Sequence, residues 1–230
     1  MKVWHISDTH NNHEELEIKE CDMIIHSGDA SNQRNVDYNE KEFGWFVEWF
    51  ESLDIQYKIY VAGNHDTSIA AGRWKHLPFI YLENESVTIE GYNIFGSPYT
   101  PSFGHGWSFN KSRSNLGNIW PNIIPNDVDI LITHGPPKGI LDTTTGYDNK
   151  IETVGCGALA KRVFEVKPSL HLFGHIHDGY GVINHGTRVL TYNSSYKSDK
   201  HIVFSNGAVV SDGTGYEITN NGNVFELDLL

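Results

Sequence analysis

Short apolar segments recur along the chain, and each of them ends in a cluster of polar residues. The segments are rich in Val, Ile and Leu and span residues 3–7, 23–27, 58–62, 129–133 and 170–173. Apolar runs of this length, closed by glycine or proline, are typical of buried strands. The ligands of open α/β sheets bind just beyond the carboxyl ends of the strands. The polar clusters are therefore the first candidates for a functional site.

Two further segments carry the pattern of helices. Apolar residues recur at helical spacing between residues 38 and 53, and they are Phe43, Phe46, Val47 and Phe50. A second helix is expected over residues 156–166, ended by Pro168. We expect the aromatic residues of the first helix to lie in the core, and they are Trp45, Phe46, Trp49 and Phe50. Helices between strands indicate β-α-β connections.

Other segments alternate in the manner of antiparallel strands. Residues 83–97 do so, and the stretch from residue 187 onward does so as well. In that stretch Asn206-Gly207 and Asn221-Gly222 are strong hairpin-turn signals. No repeat or linker interrupts the pattern. We therefore expect one α/β domain over residues 1–230, with mixed sheets flanked by helices.

Composition narrows the classes of function. The chain has 230 residues, of which 39% are hydrophobic and 20% charged, which is typical of a globular protein. No apolar run approaches the roughly 18 residues of a membrane span. No signal peptide is evident, and with only Cys21 and Cys156 present we expect a cytoplasmic protein without disulfides. A net charge of −12 disfavours long nucleic acid, so an anionic substrate would need positive charge supplied locally, for instance by metal ions.

Candidate chemistry lies in the polar clusters. In Asp8-Thr9-His10 and in His175-Ile176-His177, two potential metal ligands are spaced so that their side chains share one face of an extended segment. Four other candidates follow predicted strands, and they are Asp29, Asn64, His65 and His134. These oxygen and nitrogen donors are more than one metal ion needs. Two ions about 3.5–4 Å apart that share a carboxylate would use them.

The clusters together resemble the signature of calcineurin-like metallophosphoesterases. The residues that carry the resemblance are Asp8-x-His10, Gly28-Asp29, Gly63-Asn64-His65-Asp66, His134 and Gly174-His175-x-His177. The chain is most similar to the metallophosphoesterase-domain-containing subgroup of the fetal-brain type, which resembles class III cyclic nucleotide phosphodiesterases. That subgroup shares further segments with the chain, among them residues 96–101, 106–110 and 154–156.

The resemblance implies a four-layer α/β/β/α fold and a site for two divalent metal ions. It implies that one ion is held by Asp8, His10, Asp29 and His177. It implies that the other is held by Asp29, Asn64, His134 and His175. His65 would be the catalytic histidine beside the leaving group, and Asp66 would orient its imidazole. Imidazole, amide and carboxylate ligands suit Mn, Fe, Zn or Ni better than Mg.

The implied activity is that of a metal-dependent phosphoesterase. We expect hydrolysis of phosphodiester bonds in small phosphoester or nucleotide substrates, cyclic nucleotides above all, by attack of a metal-bridging hydroxide. The alternatives are a phosphomonoesterase or a nucleotide pyrophosphohydrolase at the same site, or a non-catalytic metal-binding scaffold. Within the loop of residues 97–110, Trp107 and Phe109 could form a wall for a base, with Asn110 contacting phosphate or base. The loop could equally anchor a buried lid, and the sequence leaves both open.

Overall fold

Two large β-sheets lie face to face in the computed structural model, and helices cover the outer face of each. The structure describes residues 1–146, 148–184, 188–190, 202–211 and 215–227. The strands are β1 (Lys2–Ile6), β2 (Met23–His26), β3 (Tyr57–Tyr60), β4 (Ile80–Tyr81), β5 (Glu85–Ile89), β6 (Tyr92–Ser97), β7 (Thr100–Pro101), β8 (Asn110–Lys111), β9 (Ile130–Thr133), β10 (Thr143–Thr145), β11 (Ile151–Thr153), β12 (Leu170–Phe173), β13 (Gly181–Asn184), β14 (Arg188–Leu190), β15 (Val203–Asn206) and β16 (Asn223–Glu226). The helices are α1 (Val36–Ser52), α2 (Thr67–Ala70), α3 (Arg113–Ile123) and α4 (Gly157–Val166).

Strand pairing builds two mixed sheets. The first sheet has the order β16-β1-β2-β3-β4, with β16 antiparallel to β1 and the other neighbours parallel. The second has the order β14-β13-β15-β12-β9-β6-β5, in which β15, β12, β9 and β6 are parallel. Two small ribbons, β7-β8 and β10-β11, lie outside these sheets. The carboxyl ends of the central parallel strands therefore carry the polar clusters to a common region.

Alternation along each strand divides the apolar residues among three cores. In β1, Val3 packs between the two sheets, whereas Trp4 and Ile6 pack with the phenylalanines of α1. In β9, Ile130 and Ile132 join the core between the sheets, while Leu131 packs with α3 and α4. The successive side chains of a strand point to opposite faces, so each sheet is buried on both sides. Three cores separate four layers, which confirms the predicted α/β/β/α fold.

The five predicted strands and both predicted helices are present. The N-terminus of α1 is capped by Asn35, whose side chain accepts hydrogen bonds from the backbone N–H groups of Asp37 and Tyr38 at 3.1 and 3.2 Å. The N-terminus of α4 is capped by Cys156. Residues 83–97 form the predicted antiparallel pair β5-β6. Cys21 and Cys156 are both free thiols.

The predicted position of Trp45 in the core is wrong. Its side chain is 55% exposed, although the neighbouring Phe46 and Phe50 are fully buried and Trp49 is half-buried. The helix buries the side that carries Phe43, Phe46 and Phe50, and Trp45 lies on the opposite side. An aromatic residue adjacent in sequence to the buried face of an amphipathic helix can still lie on its exposed face.

The two predicted hairpin turns are also wrong. After Asn206 the chain leaves the second sheet for the first, and Ala208 makes a parallel bridge with Ser7. After Gly222 the chain enters β16, which pairs with the distant β1. Residues 191–201, within the stretch expected to be antiparallel, lie outside the described residues. Among the described helices, none is long and apolar enough to cross a membrane.

Candidate metal centre and its cleft

The polar clusters meet in one cleft at the strand ends, as the strand pattern predicted. The clusters that follow β1, β2 and β3 face those that follow β9 and β12. The cleft has a volume of about 910 Å³, and its floor includes His10, Asp29, Asn64, His175 and His177. The structure brings together all seven residues expected to bind metal, and five of them are buried. The two half-buried ones are His175 and His177.

The donor atoms form two groups. In the first, the Nε2 atoms of His10 and His177 are 3.3 Å apart, and Asp8 Oδ1 lies 3.5 Å from His177 Nε2. In the second, His134 Nε2 lies 3.3 Å from Asp29 Oδ2 and 3.0 Å from Asn64 Oδ1.

Asp29 stands between the two groups. Its carboxylate has donor atoms of His134 and His175 within 4.8 Å on one side and those of His10 and His65 within 4.8 Å on the other. A carboxylate in that position is suited to bridge two cations.

The donor set fits a divalent metal ion. Asp8 Oδ1 and His10 Nδ1 are buried without a hydrogen-bond partner in the described part of the chain. Such an atom is costly to bury unless it is paired or coordinates a metal. The oxygen and nitrogen donors match the preferences of first-row transition ions. The described residues His10, Asp29, His134 and their neighbours could therefore hold metal.

Burial and neighbouring charges leave most of these groups ready to bind cations. Burial lowers the pKa of both His10 and His175 to about 3, so their imidazoles are neutral. Burial alone would raise the pKa of Asp29, but the nearby His134 and His65 hold it well below its usual range. The pKa of His134 is raised to about 9, because Asp29 outweighs the effect of burial. Neutral imidazoles and ionised carboxylates are the forms that bind metal, and His134 would release a proton on binding.

The backbone is strained at this site. Asp8, His10, Asp29 and His175 have φ values of 56°, 42°, 57° and 68°, in the left-handed region that favours glycine. Each such residue costs on the order of 1–3 kcal/mol and persists only where its surroundings impose it. Backbone hydrogen bonds impose it here: Asp8 N–H donates to the Gly28 carbonyl at 2.8 Å, and His10 N–H donates to the Asp29 carbonyl at 3.0 Å. Strain of this kind clusters at functional sites.

His65 lines the cleft, but Asp66 does not orient it. The His65 Nδ1 atom lies 3.0 Å from the backbone carbonyl of Asn32, to which it donates. The Asp66 carboxylate is fully buried and accepts hydrogen bonds from the backbone of Asp29 and Gly63 and from other donors. The predicted pairing of Asp66 with the His65 imidazole is therefore wrong. Asp66 instead fixes the backbone at Gly63, just before Asn64, and at Asp29.

An aromatic cluster borders the cleft and reaches it through Phe103. The Trp107 ring lies 4.6 Å from the His65 ring and stacks on Phe103 at 5.6 Å, and the Arg34 guanidinium covers it at 4.2 Å. Phe103 lies 4.9 Å from His175 and lines the cleft.

Phe109 and Asn110, the other two residues expected to bind substrate, are held by the core and by the loop. Phe109 packs against the core beneath α1. The Asn110 side chain donates to Thr100 Oγ1 at 2.8 Å, and its Oδ1 accepts from the Phe103 backbone at 3.3 Å. Both side chains thus support the loop, and none of Trp107, Phe109 and Asn110 is among the described residues that line the cleft.

Several residues of the cleft were missed from the sequence. They are Phe103, Arg113, Thr144, Thr145 and Tyr216. All lie on loops, short ribbons or the first turn of a helix, where no periodic pattern identifies a residue that faces a site. Their position depends on the path of the chain between elements.

Fold and site together define the class: a four-layer α/β protein with a buried carboxylate–imidazole cluster between the ends of its sheets. One solved structure shares this fold, with a TM-score of 0.62 and 14% identity over 89% of each chain. The profile of the calcineurin-like phosphoesterases matches residues 1–179. This chain belongs to the calcineurin-like phosphoesterase family, which confirms the resemblance and supports a metal-dependent hydrolase.

Sequence similarity to two relatives is consistent with that family. The chain is 37% identical over 211 residues to human metallophosphoesterase domain-containing protein 1, covering 79% of this chain and 62% of the relative. It is 33% identical over 205 residues to a UPF0046 protein of Caenorhabditis elegans, covering 81% of this chain and 67% of the relative. This chain thus matches less than two thirds of the human relative's length.

Proposed function

We propose that the protein hydrolyses phosphodiester bonds of small substrates, above all cyclic nucleotides, with the aid of two divalent metal ions. The observation that carries this proposal is the position of the Asp29 carboxylate between two groups of donor atoms. In a two-metal site the ions lie about 3.5–4 Å apart and commonly share a ligand. Asp29 is the carboxylate placed to be that shared ligand.

Each ion has a set of candidate ligands. Asp8, His10 and His177, with Asp29, would hold one ion. Asn64, His134 and His175, again with Asp29, would hold the other. When bound, such ions supply a water activated at neutral pH and positive charge on the phosphoryl oxygens. The mixed ligands favour Mn, Fe, Zn or Ni.

His65 is the residue we assign to proton transfer. Its Nδ1 atom donates to the Asn32 carbonyl, which fixes the ring, and Nε2 makes no hydrogen bond within the described residues. The ring lies 4.6 Å from that of His10, beside the metal ligands. When protonated on both nitrogens, a histidine so placed would donate its Nε2 proton to the departing alkoxide as the phosphorus–oxygen bond breaks, and it would keep its Nδ1 proton on the Asn32 carbonyl.

The cleft suits a small organic phosphate. Its volume of about 910 Å³ lies in the range of small-molecule sites, roughly 300–1,000 Å³. Phe103 lines the cleft 4.9 Å from the His175 ring and offers flat apolar surface next to the proposed reacting centre, with Trp107 stacked against it. The net charge of −12 disfavours long nucleic acid, so we propose a mononucleotide-sized substrate. Because Cys21 and Cys156 are both free thiols, we propose a cytoplasmic enzyme.

Hydrolysis of two chromogenic esters tests the proposal. With added Mn²⁺, we expect the protein to hydrolyse bis-p-nitrophenyl phosphate faster than p-nitrophenyl phosphate, and to hydrolyse 3′,5′-cyclic AMP. Asp29→Asn should lower the diester rate at least about 100-fold and reduce bound manganese per chain, because two ions share this residue. Glu20→Gln, which changes an exposed carboxylate, is the control and should leave both unchanged.

Other outcomes identify the alternatives. A clear preference for the monoester would favour a phosphomonoesterase. Manganese bound without turnover of either ester would indicate a metal-binding scaffold. Full activity in a folded Asp29→Asn protein would refute the two-metal proposal, and circular dichroism establishes whether that variant is folded.

A further inference from the structure

His10 differs from His134, another of the candidate histidine ligands, in how its ring is held. A histidine that binds a metal through one nitrogen almost always donates its other N–H to a carboxylate, carbonyl or water, which fixes the ring plane. His134 follows this rule, since its Nδ1 atom lies 2.9 Å from the Ser27 carbonyl. The Nδ1 atom of His10 is buried and has no hydrogen-bond partner in the described residues. Something else must fix the plane of the His10 ring.

Tyr216 lies flat against that ring. The centroids of Tyr216 and His10 are 4.1 Å apart, and their planes differ by 18°. Tyr216 also meets His177 at 5.8 Å, but edge-on, with an interplanar angle of 76°. It lines the cleft and is half-buried. Of these two candidate ligands of the first ion, only His10 is stacked face to face with the tyrosine.

The backbone holds Tyr216 in this place. The side-chain amide of Asn12 donates to the Tyr216 carbonyl at 2.8 Å, and Asn12 lies two residues after His10. The tyrosine is therefore tied to the same turn that carries the ligand. Tyr216 also adopts a φ of 49°, which is rare for a bulky residue. Strain of this kind is retained where surrounding contacts determine the conformation.

We propose that Tyr216 is a positioning residue whose ring face holds the His10 imidazole in the plane required by the ion of the Asp8, His10 and His177 group. This role rests on the two-metal site proposed above. At His10, stacking on Tyr216 has the orienting role that the hydrogen bond to the Ser27 carbonyl has at His134. Removing the Tyr216 ring frees the His10 ring to rotate. This lowers the affinity for the ion of the Asp8, His10 and His177 group and leaves the affinity for the ion on the His134 side unchanged.

Manganese binding by the metal-free protein tests this role without reference to turnover. Titration with Mn²⁺, followed by calorimetry and by the electron paramagnetic resonance of free Mn²⁺, gives both dissociation constants. Tyr216→Ala should raise one of them about tenfold, the lower end of the 10–100-fold loss seen when a ligand's supporting partner is removed. The other should change less than about twofold. Tyr216→Phe keeps the ring face and should match the wild type.

Two further variants complete the design. Tyr216→Leu keeps apolar bulk without a flat aromatic face, so it should behave as Tyr216→Ala and serves if the alanine variant fails to fold. Tyr38→Ala, which removes a 60% exposed tyrosine on α1, is the matched control and should bind both ions normally.

Each remaining outcome overturns the proposal. Unchanged manganese affinities in folded Tyr216→Ala and Tyr216→Leu proteins would remove the positioning role and leave the two-metal site standing. A loss in Tyr216→Phe equal to that in Tyr216→Ala would assign the effect to the hydroxyl instead of the ring face. Equal weakening of both ions would indicate general damage to the cleft. A wild-type protein that binds no Mn²⁺ would overturn both this role and the proposed function.

Discussion

Replacing Asp66 by Asn tests whether this residue supports the backbone of the site or the His65 ring. One oxygen of the Asp66 carboxylate accepts from the backbone N–H groups of Asp29 and Gly63, at 2.9 and 2.6 Å, and from the Tyr60 hydroxyl at 2.6 Å. The other accepts from the Ser31 backbone N–H at 3.2 Å and the Ser31 hydroxyl at 2.8 Å. Asn has the same shape but only one oxygen and no charge.

The loss of stability follows from these contacts. The amide nitrogen of Asn would face donors in place of one carboxylate oxygen, so two hydrogen bonds to a charged group are lost. Each such bond contributes about 1.5–3 kcal/mol. The Ser31 hydroxyl can turn to accept from the new amide and recover part of this. We expect Asp66→Asn to lower the free energy of unfolding by about 3 kcal/mol, a large share of the typical 5–15 kcal/mol.

Urea denaturation of the metal-free protein at pH 7, followed by tryptophan fluorescence, measures the effect. Asp127→Asn is the control, because Asp127 is exposed and its carboxylate receives none of the hydrogen bonds described here. We expect it to change the free energy of unfolding by less than about 0.5 kcal/mol. A loss below about 1 kcal/mol for Asp66→Asn would refute the supporting role. If diester turnover nevertheless fell, the pairing of Asp66 with His65 would have to be reconsidered.

Two further predictions concern stability and the glycines of the site. Burial lowers the pKa of His171, which contacts Thr133, to about 3. The unfolded value is near 6.5, so stability is lost as pH falls below 6.5, and His171→Asn should lose about 2 kcal/mol less than the wild type between pH 7 and 5 in urea titrations. Gly174→Ala places a Cβ against the Asp8 carboxylate and should abolish manganese binding, whereas Gly117→Ala, in open space, should bind normally. Equal pH dependence, or normal binding by Gly174→Ala, would contradict them.

The strands and the candidate ligands were predictable because two independent signals coincide. An apolar run that ends in polar residues marks a strand and its carboxyl end, and parallel strands bring such ends together. Asp8, Asp29 and His134 each follow such a run. Trp45 was not predictable in the same way, since aromatic residues occupy both sides of α1 and only packing decides which side is buried.

The supporting residues depend on loop geometry that local patterns do not encode. Asp66 directly follows His65, which suggested a pair, yet the turn sends the two side chains to different partners. Phe103 and Tyr216 reach the cleft from loops without periodicity. A sequence shows which residues could bind metal, but the partner that holds each of them follows from the tertiary path of the chain.

The strain at the candidate ligands gives these supporting contacts their importance. Four residues in one small region have a left-handed backbone, and they are Asp8, His10, Asp29 and His175. Each of them costs on the order of 1–3 kcal/mol of conformational free energy. The same region buries the carboxylates of Asp8 and Asp29, and within the described part of the chain His10 Nδ1 is buried without a hydrogen-bond partner. Local interactions there favour a relaxed chain, so the geometry must be imposed from outside, by buried acceptors such as Asp66 and by the packed sheets. Metal ions that bind only this geometry would then add to the stability of the fold in proportion to their affinity.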